Sequence, residues 1–393
     1  MTETTVTYQK KELPRSVTLF GAAATAAGLL LVGLTYWMDH SRGLFNNIIG
    51  LATIASISVG AIFYVALEYL AGAVWSTPFR RVMEFLAASV IGVVILAIPL
   101  SMNMHEIFHW THAEALAKDP VLEGKSPYLN IQFFFIRSAV FMILWIGFYW
   151  VLARNSRRQD ATGDQALTRS NIRFSTAFMP VFAITITFFA IDWMMSLEPH
   201  WFSTIFGVYY FSGTVLAALA VATYIIVSLN ERGYFVAGLR KDHYYSLGTL
   251  LFVFTNFWAY IAFSQFMLIW YANVPEETFW YLSRWRNGWQ YVSFVLILAR
   301  FIVPYFVLLS QPSKMDARKL KIMGIWIFAA HIIDMYWIVM PSFSRSVIFG
   351  WQELGFPILV AGVIALVFVF KSKRENLVPI GDPKLQRGIN FRI

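Results

Sequence analysis

Cysteine is absent from the 393 residues. Disulfides, thiolate zinc sites and iron–sulfur ligation by this chain are therefore excluded. Charge is also scarce: Asp, Glu, Lys and Arg together make up 13%, about half the share of a water-soluble domain. No Gly-rich phosphate loop, nucleophile elbow or calcium loop is present. Of seven histidines only His331 falls deep in an apolar run; His40, His105, His109, His112, His200 and His243 fall near run ends or in loops. A haem held by two axial histidines is therefore not expected.

What fills the chain instead is apolar surface, with 58% hydrophobic and 18% aromatic residues. A spanning helix needs roughly 20 mostly apolar residues. Ten stretches qualify, at about 17–38, 48–71, 84–104, 130–152, 174–196, 204–229, 246–271, 288–310, 320–341 and 354–371. Thr77-Pro78 reads as an N-cap followed by proline at the first helical position, which starts the third helix earlier. Arg80 and Arg81 would then lie on its first turn, at the membrane surface. The polar start, Met1 to Arg15, ahead of a long apolar run reads as an uncleaved first membrane helix.

The net charge of +9 does not indicate a nucleic-acid partner, because the basic residues sit in short loops between apolar runs. One set of segments holds Lys10, Lys11, Arg15, Arg80, Arg81, Arg154, Arg157, Arg158, Arg169, Arg173, Arg232, Arg240, Lys241, Lys314, Arg318, Lys319, Lys321 and the basic tail from Lys371. The alternate set holds only Arg42, Lys118, Lys125, Arg284, Arg286 and Arg345. The positive-inside bias predicts both termini in the cytoplasm.

A short internal repeat is visible. Phe135-Ile136-Arg137-Ser138 in the fourth helix matches Leu298-Ala299-Arg300-Phe301 in the eighth, and Ile191-Asp192-Trp193 in the fifth matches Ile333-Asp334-Met335 in the ninth. An offset of four helices preserves topology and suggests two parallel four-helix units. The expected fold is an all-α polytopic membrane protein. Residues 1–16 form a cytoplasmic tail and about 17–371 the transmembrane domain, with bundle one at about 48–196 and bundle two at about 204–341. Flanking helices fall at about 17–38 and 354–371, and 372–393 form a second cytoplasmic tail.

An ionisable group inside a spanning helix costs roughly 2.5–3.5 kcal/mol on insertion scales, so each needs a partner or a function. The candidates are Glu68, Arg137, Asp192, Arg300, His331 and Asp334, with Glu84 near the cytoplasmic edge. By position, Arg137 with Asp192 and Arg300 with Asp334 fall in the outer half of the membrane, either as buried pairs that pin each bundle together or as parts of a proton or substrate path. His331 and Asp334, three apart on one helix, share a face, and a His beside a carboxylate passes protons near neutral pH. Asn256, Tyr260 and Gln265 could extend a polar file along the seventh helix. His105-Glu106-Ile107-Phe108-His109 matches the H-E-x-x-H metal pattern, but it sits at a helix end with no distant third ligand. An interface cluster is the default reading there, and no metal site is expected.

Several runs resemble one family: Ala73-Val74-Trp75-Ser76-Thr77-Pro78-Phe79-Arg80-Arg81, Ser126-Pro127-Tyr128-Leu129-Asn130, IDWMMSLEPHWFSTIFGVYY from Ile191 to Tyr210, and the stretch from Trp258 to Glu277. They are similar to the ActF membrane component of bacterial alternative complex III, a quinol:acceptor oxidoreductase, within the NrfD/PsrC-like membrane subunits. The resemblance implies two four-helix bundles, and partners that carry the redox centres: an iron–sulfur subunit, multi-haem cytochrome c subunits and a related NrfD-like membrane subunit. It implies a chain without its own redox centre that scaffolds oxidation of menaquinol or another quinol in an electron-transport chain and offers protons a path. A secondary transporter and a purely structural anchor are the competing functions.

Overall fold

The computed structural model describes residues 10–235 and 238–393. The expected tail over 1–16 therefore lies largely outside the described residues. Those described contain no strand. Ten helices are long and apolar enough to cross a membrane: α1 Arg15–Met38, α2 His40–Ala71, α3 Thr77–Met102, α4 Ile131–Thr162, α5 Gln165–Leu197, α6 Phe206–Glu231, α7 Lys241–Ala272, α8 Trp289–Leu308, α9 Ala317–Ser342 and α10 Trp351–Arg374. All ten coincide with the apolar runs in the sequence. The protein is an integral, multi-pass membrane protein.

Local chemistry sets the helix ends. The carboxylate of Asp39 accepts from the Arg42 N–H at 3.0 Å, and Asn130, Asp164 and Asp316 start α4, α5 and α9 in the same way. Gly72 and Gly163, at φ +63° and +65°, end α2 and α4 in the left-handed conformation. Thr77 does begin α3, yet its hydroxyl does not cap it; it donates instead to Glu68 Oε1 at 3.1 Å.

The helices pack as two rings, α2–α3–α4–α5 and α6–α7–α8–α9, joined where α2 meets α6, α6 meets α5 and α2 meets α9. α2 is the central helix: 94% of its most apolar window is buried, against 11% for α1. α1 and α10 lie against each other along their length and cover α2 and α3. Their close approach depends on small residues, since a Cβ on Gly28 would come within 2.6 Å of the Leu359 backbone, and one on Gly362 would run into the Thr25 nitrogen.

The segment after α10 is not a free tail. It folds back under the ends of α2, α3 and α4: Asp382 pairs with Arg80, the Gly381 N–H donates to Asp160, and the Gly388 carbonyl meets the His243 ring. Arg80 and Arg81 are correspondingly 2% and 0% exposed. They lie on the first turn of α3 as expected, but they are covered rather than exposed: the C-terminal segment supplies an acid, Asp382, that sequence position alone did not associate with them.

Candidate functional site

Bundle two gathers a buried polar group at its centre. α6 contributes Tyr209 and Gly213, α7 Trp258, α8 Arg300, and α9 His331 and Asp334 on one face, as the three-residue spacing predicts. Arg300, His331 and Asp334 are all 0% exposed. The Tyr209 hydroxyl donates to Asp334 Oδ1 at 2.5 Å. Arg300 Nε lies 3.4 Å from Asp334 Oδ2, an ion pair without a formed hydrogen bond, and its guanidinium carbon stands 5.1 Å over the Trp258 ring.

Hydrogen bonding is left incomplete in this group. All three guanidinium nitrogens of Arg300, both ring nitrogens of His331 and Oδ2 of Asp334 lack a hydrogen-bond partner among the described residues. Each such buried group costs about 1–3 kcal/mol when nothing pairs with it, so a concentration of them is suited to receiving a polar ligand or ordered water. Gly213 provides the room, because a Cβ there would stand 2.9 Å from Arg300 Nη2 and 3.7 Å from the His331 ring.

A cavity of ≈ 1010 Å³ borders this group through Tyr209 and Trp258, with Arg300, His331 and Asp334 lying behind those two side chains and not in its lining. Phe263, Phe266, Phe301 and Trp337 are among its apolar side chains, and Asn256, Thr278 and Arg284 are among its polar ones. Its lining includes Tyr260, Phe263 and Trp270, which are exposed on the outer surface of α7. Arg284, on the loop before α8, borders the cavity with all three nitrogen positions donating to the carbonyls of Trp280, Trp337 and Ile338. That guanidinium serves two helix C-termini and is not free for a ligand.

Bundle one holds the matching pair in a closed form. Arg137 Nε and Nη2 donate to the two oxygens of Asp192, both at 2.9 Å, and Nη1 donates to the Tyr128 carbonyl. The Tyr128 hydroxyl completes Asp192 at 2.9 Å, and its ring lies 3.8 Å from the guanidinium carbon. Burial, with the Asp192 charge second, pushes the Tyr128 phenol above its ordinary range. A smaller cavity of ≈ 340 Å³ adjoins Tyr128, and Lys125, which borders it, spends its ammonium on the Pro199 carbonyl. Burial pushes that ammonium below its usual pKa.

Glu68 and Glu84 belong to a third group, at the end of bundle one that faces the termini. Arg80 links Glu68, Glu84 and Asp382, and Arg81 links Glu84 and Asp160, with contacts of 2.6–3.2 Å. The C-terminal segment covers them, so Glu68 sits inside a closed ion network. The polar file on α7 is divided: Asn256 donates to the Phe252 carbonyl, Gln265 joins Ser203 and Tyr281, and Tyr260 points outward.

The H-E-x-x-H run does not place its histidines on one helical face. The helix ends at Ile107, Phe108 is extended, and His105 and His112 engage Thr111 and the His105 carbonyl. Among the described residues no three His, Asp or Glu side chains are grouped to hold a metal ion. No family model matches this chain, and no curated protein matches it either.

Tyr209, Trp258 and Gly213 were not singled out by sequence reasoning. A buried carboxylate needs a donor, but tyrosine and tryptophan are too frequent here for that need to pick one, with 18 and 15 in the chain.

Proposed function

We propose that this chain is a membrane subunit of a quinol:acceptor oxidoreductase, of the alternative complex III type that its sequence resembles, and that bundle two holds the quinol ring. The observation that carries the reading is the unsatisfied Arg300–His331–Asp334 group packed behind Tyr209 and Trp258, two residues that line an apolar, aromatic cavity bounded also by exposed side chains of α7. A lipid-soluble quinol has the matching chemistry: a planar ring for the aromatic walls, two hydroxyls for the polar group and an apolar tail for the bilayer.

Oxidation of a quinol to a quinone releases two protons and two electrons. The Tyr209–Asp334 pair accepts one proton in this scheme: the Tyr209 hydroxyl relays it to the carboxylate it already touches. His331, with both ring nitrogens unengaged, is the second acceptor. Arg300 offers N–H donors to the ring oxygen as negative charge develops there. Electrons leave to haem c and iron–sulfur centres carried by partner subunits. The closed Arg137–Asp192 pair is assigned to holding bundle one together, and the positive-inside bias puts the termini in the bacterial cytoplasm.

The deciding measurement is quinol-dependent turnover of the purified complex carrying Asp334→Asn, with subunit and haem content verified. Loss of general base function lowers turnover by about 10²–10⁴-fold. Unchanged turnover in an intact complex would place quinol chemistry in a partner and leave this chain as scaffold.

A further inference from the structure

The eighth helix departs from α-geometry at the site itself. Leu298–Ile302 forms a π turn, in which the Val303 N–H bonds back to the Leu298 carbonyl, five residues earlier. In that register the donor for the Ala299 carbonyl would be residue 304. Residue 304 is proline and has no N–H to give. The Ala299 carbonyl is therefore orphaned at membrane depth, where water cannot take the donor's place. The Trp326 indole of α9 supplies the missing bond, with Nε1–H donating to the Ala299 oxygen at 2.8 Å.

Arg300 is the next residue, and Phe301 and Ile302 of the same turn line the cavity. In α4 the matching Arg137 sits on an uninterrupted α-helix and closes on Asp192 through two bonds. On the π turn Arg300 is held near Asp334 without closing on it, so its N–H groups stay unengaged. The plain alternative is that Trp326, 41% exposed, is one more aromatic at the lipid surface. That alternative explains the ring but not the direction of its N–H.

We infer that Trp326 is a positioning residue for the quinol site: its bond to the Ala299 carbonyl holds the π turn that keeps Arg300 open toward the ring oxygen. The inference rests on the quinol reading above, and its test separates the two. Turnover of the purified complex is measured for Trp326→Phe, for Trp326→Phe with Pro304→Ala, for Trp326→His and for Asp334→Asn. Trp326→Phe keeps an aromatic ring but loses the donor, and turnover falls by about ten- to a hundredfold, as expected for a displaced binding group. Pro304→Ala returns a backbone N–H to the Ala299 carbonyl and restores most of that loss, and Trp326→His, which keeps a ring N–H, restores part of it. A space-filling role for the indole predicts no rescue by Pro304→Ala, which adds no volume near the ring.

Wild-type turnover in Trp326→Phe beside a large loss in Asp334→Asn overturns the positioning role and leaves the quinol reading standing. A loss in Trp326→Phe that neither rescue relieves overturns it as well. Wild-type turnover in Asp334→Asn overturns the quinol reading itself. Should Trp326→Phe fail to assemble, the double variant decides: an assembled, active complex supports the role, and a complex that still fails removes it.

Discussion

Arg137 and Arg300 show how far one side chain's role depends on what surrounds it. Both face an aspartate across a helix pair, and the sequence presents them as equals. Arg137 is saturated by Asp192, the Tyr128 carbonyl and the Tyr128 ring. Removing it would leave Asp192 buried with Tyr128 as its remaining side-chain partner. Arg137→Ala is therefore expected to lower unfolding stability by about 3–5 kcal/mol, the usual effect of breaking a buried pair. Chemical unfolding in detergent measures it, and a loss under about 1 kcal/mol would mean that the pair contributes little. Arg300, by contrast, stands 3.4 Å from Asp334 with its guanidinium nitrogens unpaired, the contrast on which the proposed quinol site rests.

At the scale of elements, three devices shape the molecule: the glycine seam between α1 and α10, the π turn in α8 and the C-terminal segment folded under α2, α3 and α4. The seam is the simplest to test. Gly28→Leu would drive its side chain into the Leu359 backbone, which stands 2.6 Å from even a Cβ. The expected result is separation of α1 from α10, read as loss of a cross-link between cysteines introduced at Leu31 and Gly355. The absence of native cysteine makes that readout clean. The cross-link is expected to form in the parent, because a Cβ on residue 355 would stand 3.3 Å from the Leu31 Cβ, close to the spacing a disulfide needs. Its persistence in Gly28→Leu would show that α1 shifts along α10 at little cost.

For the whole molecule, orientation and isolation are the quantities to measure. A cysteine placed at Ile393 is expected to react with a membrane-impermeant thiol reagent only from the cytoplasmic side, and one at Ser41 only from the other. The reverse pattern would overturn the orientation taken from the Lys/Arg bias. Vesicles containing this chain alone separate the remaining functions: solute uptake without partners would favour a secondary transporter, which the quinol reading excludes.

All ten spans were legible in the sequence because burying a helix in lipid demands roughly 20 apolar residues in a row, a pattern that survives any tertiary arrangement. The positions of Arg137, Asp192, Arg300, His331 and Asp334 were legible for a related reason: a charge in an apolar run is rare enough to stand out. The Arg–Asp pairings were suggested by similar positions along the helices, and only the structure brings each pair together. What the linear chain could not show is completeness. Whether an arginine closes on its aspartate depends on angstrom-scale register between helices, and in α8 that register rests on a π turn, a proline and an indole from α9. The burial of Arg80 and Arg81 likewise needed the C-terminal segment to return across some 300 residues of chain, with Asp382 meeting Arg80 at 2.8 Å. Such long-range contacts leave no periodic trace in the sequence, because only the packed structure brings the two partners together.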